Sequence, residues 1–312
     1  MKNQGKIDEM IQNMEQIMVG KRDVIEKILI TLLAKGHLLL EDVPGVGKTT
    51  LAKSLAQSIN CGFTRIQFTP DTLPSDITGL SIYNMQTGLF EYSKGAIMNQ
   101  IILADEINRT SPKTQASLLE AMEEKQVTVD GNTYSLPQPF MVIATQNPID
   151  YLGTYNLPEA QLDRFMMKIS IGYPQSSDEM RMVDRFLNRQ LTQKLSAVVE
   201  GDTILHMQQE VEDIKINQDL ISFITKFVQE TRKDNNIALG ASPRATLALI
   251  RASQARAYVL GRNYCIPDDI LQLIYPVIVH RILLSSEARL SQTKVEKVLK
   301  NILSKVPVPV LT

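Results

Sequence analysis

Residues Gly45-Val46-Gly47-Lys48-Thr49-Thr50 set two glycines, a lysine and two hydroxyls side by side. That set suits an anion. Glycines let the chain turn tightly enough for successive N–H groups to point at phosphate oxygens. A helix opening near Lys48 would add its positive end to the same place. Lys48 would then reach the β- and γ-phosphates of a nucleotide, and Thr49 would offer its hydroxyl to Mg²⁺. Pro44, Gly45, Val46, Gly47, Lys48, Thr49 and Thr50 make up this candidate phosphate loop. The common form of the pattern carries glycine at position 42, where this chain has Asp42. The competing reading is a glycine-rich turn before an ordinary helix.

Two acids stand at the end of another apolar run, Ile101-Ile102-Leu103-Ala104-Asp105-Glu106. In a parallel sheet, ligands gather beyond the carboxyl ends of strands. Asp105 could hold Mg²⁺ there, and Glu106 could activate the water that attacks the γ-phosphate. Asn147 ends a third run, Val142–Thr145, either as a turn-forming Asn-Pro or as a group that orients the attacking water. Arg164 is either a surface arginine in an ion pair or a guanidinium projected into a neighbouring subunit's nucleotide site. Arg244 sits in the first turn of a helix, where a cation opposes the helix dipole. A phosphate brought close by the other domain would offset that cost; a solvated side chain is the plainer alternative.

The elements around these residues follow from hydrophobic patterning. The runs His37–Leu40, Phe63–Phe68, Ile101–Ala104, Phe140–Ala144 and Met167–Ile171 alternate with helical patterns, which predicts an α/β unit with a parallel sheet. Asp130-Gly131 between two alternating runs predicts a hairpin. After Pro174 the strand-like runs stop. Leu220, Phe223, Ile224, Phe227 and Val228 follow a helical rhythm. Ser242-Pro243 opens a further helix that Gly261 closes. Residues 1–174 therefore read as an α/β domain and 175–312 as a smaller helical one.

The 312 residues carry a formal net charge of −1, with 44% hydrophobic and 21% charged residues. This balance is ordinary for a globular chain and argues against a nucleic-acid binder, although a local basic patch could hide in a neutral total. The two cysteines, Cys61 and Cys265, lie far apart and fit reduced thiols. The amino-terminal residues carry acids where a signal peptide would be apolar, and no run reaches the ~18 apolar residues of a membrane span. A cytoplasmic protein is expected.

The segments EDVPGVGKTTLA, RIQFTPDTLPSDITG, ILADEINRTSPKTQASLLEAMEEKQVTVDG, VIATQNP, GTYNLPEAQLDRF and GASPRA together resemble the MoxR family of AAA+ ATPases, from about Ile17 to the carboxyl terminus. The resemblance implies a P-loop NTPase fold: an αβα sandwich on a five-stranded parallel sheet of order 5-1-4-3-2, with an all-helical lid. Lys48 and Thr49 then look like Walker A, Asp105 and Glu106 like Walker B, and Asn147 like sensor 1. Arg164 looks like the arginine finger and Arg244 like sensor 2. Val19 and Gly20 lie in a stretch similar to the one flanking the adenine. Residues 79–97 look like an insertion after strand 2, and the 127–136 hairpin like the insertion before sensor 1. Asp42 is no anomaly within this family. ATP/ADP and Mg²⁺ are the implied cofactors. The implied partners are further copies of the chain, commonly in a hexameric ring, a protein client, and a protein with a von Willebrand factor A domain. The implied work is chaperone-like remodelling, assembly, or metal or cofactor insertion. A nucleic-acid motor or loader, and a nucleotide-gated binding module, are the alternatives.

Overall fold

The computed structural model describes residues 3–147, 154–188 and 195–309. The chain opens with α1 (Gln4–Glu15) and α2 (Arg22–Leu33). β1 (Leu38–Glu41) leads through the phosphate loop to α3 (Lys48–Ser58), and β2 (Phe63–Gln67) leads to the short α4 (Pro74–Thr78). A hairpin of β3 (Gly79–Asn84) and β4 (Leu89–Lys94) precedes β5 (Ile101–Asp105). α5 (Pro112–Glu124) runs into a second hairpin, β6 (Gln126–Val129) and β7 (Asn132–Ser135). β8 (Met141–Gln146), α6 (Glu159–Leu162) and β9 (Met167–Ile169) complete the α/β part, and α7 (Ser176–Leu187) leaves it. The helical part comprises α8 (Gly201–Glu212), α9 (Gln218–Thr231), α10 (Pro243–Val259), α11 (Pro267–Leu271), α12 (Ile274–Ile278), α13 (Ser286–Leu290) and α14 (Val295–Lys305). It also holds a small antiparallel ribbon of β10 (Ile237–Leu239) and β11 (Leu283–Leu284). The lid is thus helical but not wholly so: the link between α9 and α10 runs extended and pairs with the chain before α13.

The main sheet is parallel, in the order β2-β5-β8-β1-β9. Counting only its own strands, this is the expected 5-1-4-3-2. The three central strands are almost wholly buried, in keeping with their unbroken aliphatic sequences. The order sets the acid-bearing β5 and the loop-bearing β1 on either side of β8, with all three carboxyl ends on one edge. In the second hairpin Asp130 and Gly131 both adopt positive φ, as a two-residue turn of this kind needs.

One face of the sheet packs on α1, α2 and α3, and this core continues into the helical part. α10 lies against α2 and α9, and α12 lies against β9. The other face packs on Leu118, Leu119 and Met122 of α5. His37 ties α5 to the sheet at the amino end of β1. Its Nδ1 accepts from the Val142 N–H at 3.0 Å, and its Nε2 meets the Met122 carbonyl at 3.2 Å. That pairing fixes a neutral ring with the proton on Nε2.

Burial holds the His37 pKa down at about 4, and the buried His280 is also shifted low by burial and by Arg281. A histidine of depressed pKa contributes stability that is whole above its unfolded value and is lost as pH falls toward the folded one. Unfolding free energy should therefore fall from pH 7.5 to pH 5, with His37 alone accounting for about 2 kcal/mol. Urea denaturation at the two pH values checks this, and His37→Gln should flatten the slope.

Candidate functional site

The phosphate loop emerges from β1 and turns into α3 at Gly47. Gly45 and Gly47 have φ of 87° and 96°, a region that side-chain-bearing residues rarely adopt. A Cβ on Gly45 would meet nothing within 4 Å, so the conformation demands glycine there, and the space above the loop is open. Among the described residues nothing accepts from the N–H groups of Gly45, Val46 or Gly47. The loop is a cradle of unsatisfied donors at a helix amino terminus, the arrangement a phosphate chain requires. Lys48 Nζ folds back onto the Asp42 carbonyl at 2.8 Å, while Thr49 is half-buried and Thr50 exposed. Pro44 and Gly45 stand at the open surface.

Asp42 has a definite structural task. Its buried carboxylate accepts from Ser170 Oγ at 2.7 Å, the Ile171 N–H at 2.5 Å and the Gly172 N–H at 3.1 Å. Lys21 grips the same segment from its other side, donating to the carbonyls of Ile171, Gly172 and Tyr173 at 2.6, 3.0 and 2.9 Å. A glycine at 42 would leave those amides without a partner. Val19 and Gly20 immediately precede Lys21 and are carried to the loop by it. Val19 is buried, and the neighbouring Met18 side chain approaches Gly47. Gly20 leaves room for Asp178 at the start of α7: a Cβ there would lie 2.0 Å from the Asp178 carboxylate.

The acid pair closes the site from β5. Asp105 is buried, and Glu106 turns the chain out of the strand with φ 57° and ψ 49°. A left-handed non-glycine residue costs about 1 kcal/mol and points to an imposed geometry. The imposing groups are visible. Thr145 Oγ1, fully buried on β8, donates to Asp105 Oδ1 at 2.6 Å and accepts the Glu106 N–H at 2.8 Å. Arg65 on β2 takes Asp105 Oδ2 through Nε at 3.0 Å and a terminal nitrogen at 2.6 Å. Gln67 and Arg109 both donate to Glu106 Oε2, at 2.8 and 2.9 Å. Asn147 stands half-buried just past β8, one residue beyond Gln146, whose carbonyl accepts the Asp42 N–H at 3.3 Å. It therefore lies between the acids and the loop. The buried Asp105 carboxylate and the Thr49 hydroxyl, at the carboxyl ends of β5 and β1, are oxygen donors of the kind Mg²⁺ accepts when phosphate and water complete its shell. No cluster of three or more His, Cys, Asp or Glu side chains stands among the described residues to hold a metal by itself.

The two candidate arginines lie elsewhere. Arg164 Nε is 3.2 Å from Glu123 Oε2, and Arg244 is bonded to the other oxygen of the same carboxylate. Glu123 lies in the last turn of α5 beside Met122, the residue that holds His37 at the amino end of β1. Both arginines are thus at the edge of the sheet opposite the phosphate loop. Within the subunit, Glu123 supplies the charge that offsets the place of Arg244 in the first turn of α10. The lid is fastened in that position. Arg281, buried, donates to Asp163 Oδ1 at 2.8 Å and to the Phe165 carbonyl at 2.7 Å, and Ser242 Oγ donates to Asp163 Oδ2 at 2.8 Å. Ser242 spends its hydroxyl on this joint rather than on capping α10.

Sequence reasoning passed over Thr145, Arg65, Gln67, Arg109 and Glu123. The strand period offered one signal: Arg65 and Gln67 are two apart on β2 and share a face, and Gln67 pairs with Asp105 across the sheet. Thr145 and Glu123 carried no local signal, since their partners are distant in sequence.

Comparison with known proteins agrees with this geometry. The family described as "ATPase family associated with various cellular activities (AAA)" matches residues 37–167, and the "AAA lid domain" matches 229–302. The chain is 49% identical to the uncharacterized protein YeaC of Bacillus subtilis (strain 168), covering 96% of this chain and 94% of that one. It is 39% identical to Chaperone MoxR1 of Mycobacterium tuberculosis, over 97% of this chain and 82% of the relative. A crystal structure of a proposed ATPase from Cytophaga hutchinsonii superposes with a TM-score of 0.92 at 39% identity, covering 99% and 96% of the two chains. With the sheet order, the helical lid and these relatives in agreement, the chain belongs to the MoxR family of AAA+ ATPases.

Proposed function

We propose that this protein hydrolyses ATP with Mg²⁺ and uses the cycle to remodel a protein client. The observation that carries the reading is the convergence of an open, glycine-built N–H cradle with Lys48, Asp105 and Glu106 at one edge of the sheet. The loop amides and Lys48 would bind and orient the triphosphate, and Thr49 and Asp105 would hold the metal. The metal would supply charge neutralisation at the phosphates. Glu106 would take the proton of the attacking water, which Asn147 orients. Gln67 and Arg109 occupy the Glu106 carboxylate in this state, so it must be released to act. Asp105 likewise must loosen its bond with Arg65. The remodelling role is carried over from the relative named as a chaperone. A nucleic-acid motor finds no support in the net charge of −1.

Arg164 and Arg244 face away from their own phosphate loop, which favours their service to a neighbour's nucleotide in a ring, six copies being the family's common number. Arg164, Arg244 and Glu123 would then be presented as one unit.

Lys48→Ala should abolish nucleotide binding, while Glu106→Gln should bind ATP and lose turnover by roughly 100-fold or more. Phosphate release by Glu106→Gln at the parent rate would refute the assignment of the base. Thr145→Val keeps side-chain shape but strips Asp105 and the Glu106 amide of a partner. We expect turnover to fall about 10-fold or more with nucleotide affinity held, each lost buried bond being worth about 1–3 kcal/mol. Single-turnover kinetics with an equilibrium binding measurement separates the two effects. Mixed Arg164→Ala and Glu106→Gln subunits should recover activity above either alone, because some sites regain both groups. Absence of recovery in confirmed mixed assemblies excludes a shared site.

A further inference from the structure

A cavity of about 650 Å³ opens between the α/β part and the lid at the amino end of β1, away from the phosphate loop. Its charge is lopsided. Six cationic side chains face it against three carboxylates, in a chain whose formal net charge is −1. The carboxylates are all committed: Glu123 to Arg164 and Arg244, Asp163 to Arg281, and Glu212 to Lys35 at 2.6 Å. Lys125 and Arg251 remain, with no carboxylate bonded to either among the described residues. Lys125 is costly where it stands. It sits at the end of α5 with φ 53°, exposed at the wall of the cleft, and partial desolvation followed by the charges of Lys35 and Arg251 pushes its pKa down. The carboxyl end of α5 and the nearby Glu212 offset only part of this. His37, on the same wall, is neutral at physiological pH and adds no charge.

Like charges gathered in a partly apolar cleft destabilise the empty protein and favour an anion. The volume is that of a small-molecule site. Guanidinium groups match phosphate oxygens in pairs, and a short polyphosphate concentrates the several negative charges the surplus calls for. We infer that Lys125 and Arg251 complete, with Arg164 and Arg244, a cleft that holds a polyphosphate chain. That chain is either a free polyphosphate or the triphosphate of a nucleotide seated in a second copy of this protein. Only the second source rests on the proposed hydrolysis in a shared site.

Two measurements test this. In the first, inorganic tripolyphosphate is titrated calorimetrically into Lys48→Ala protein, whose own phosphate loop is disabled, and into the same protein carrying Lys125→Gln and Arg251→Gln. A free-ligand site gives binding near one per chain that weakens at least 10-fold in the second protein. In the second, ATP turnover is measured for Lys125→Gln/Arg251→Gln with the phosphate loop intact. A fall of 10-fold or more at unchanged nucleotide affinity, without the first effect, identifies a nucleotide presented by another copy. Both substitutions relieve repulsion, so an unchanged or raised melting temperature shows that the variants are folded. Neither effect, or tripolyphosphate binding that ignores the two substitutions with turnover also unaffected, overturns the proposal. If the parent protein hydrolyses no ATP, the proposed function fails separately and the tripolyphosphate titration alone decides the cleft.

Discussion

The carboxylate of Asp42 holds the nucleotide end of this molecule together. It satisfies two backbone amides and a hydroxyl on the segment that follows β9, while Lys21 satisfies the carbonyls of the same segment. One hydroxyl, two amides and three carbonyls on that strip of chain are paired with one of two side chains. A buried amide left unpaired costs about 1–3 kcal/mol, so the strip has little freedom to move independently. Through it, the phosphate loop, the Val19–Gly20 segment and the route to α7 become one body.

That body explains why a loop without its first customary glycine still forms the same cradle. The strained positions are Gly45 and Gly47, and both retain glycine. Position 42 lies before the turn, where the backbone still pairs with β8 through the Gln146 carbonyl. A side chain is free to enter there and to reach across to the segment that follows β9. The departure from the common pattern is a substitution of a tether for a hinge.

Local chemistry was legible in the sequence, and geometry across the sheet was not. Aliphatic runs announced the five strands of the main sheet, Asp130-Gly131 announced the second hairpin, and an acid pair at a strand end announced its place at the carboxyl edge. What escaped were groups whose partners are remote: Thr145 between Asp105 and Glu106, Arg65 on Asp105, and Glu123 between two arginines. Each depends on which strands and helices become neighbours, a fact set by tertiary packing. Arg244 is the instructive case. Its place in the first turn of a helix calls for a nearby anion, and within the subunit Glu123 answers it from a helix more than a hundred residues earlier.

α5 begins a few residues after Glu106, crosses the back of the sheet, and carries Glu123 in its last turn. Its 13 residues span about 20 Å as a single rigid rod. One end therefore lies close to Glu106 and the other holds Arg164 and Arg244 through Glu123. Immediately beyond lies the β6–β7 hairpin, whose Tyr134 stacks on Tyr92 of the β3–β4 hairpin at 4.0 Å. A shift of this rod by a fraction of a helical turn would move the arginine joint and both hairpins in step. One continuous helix thus joins the acid-bearing edge of the sheet to the arginine joint on the other.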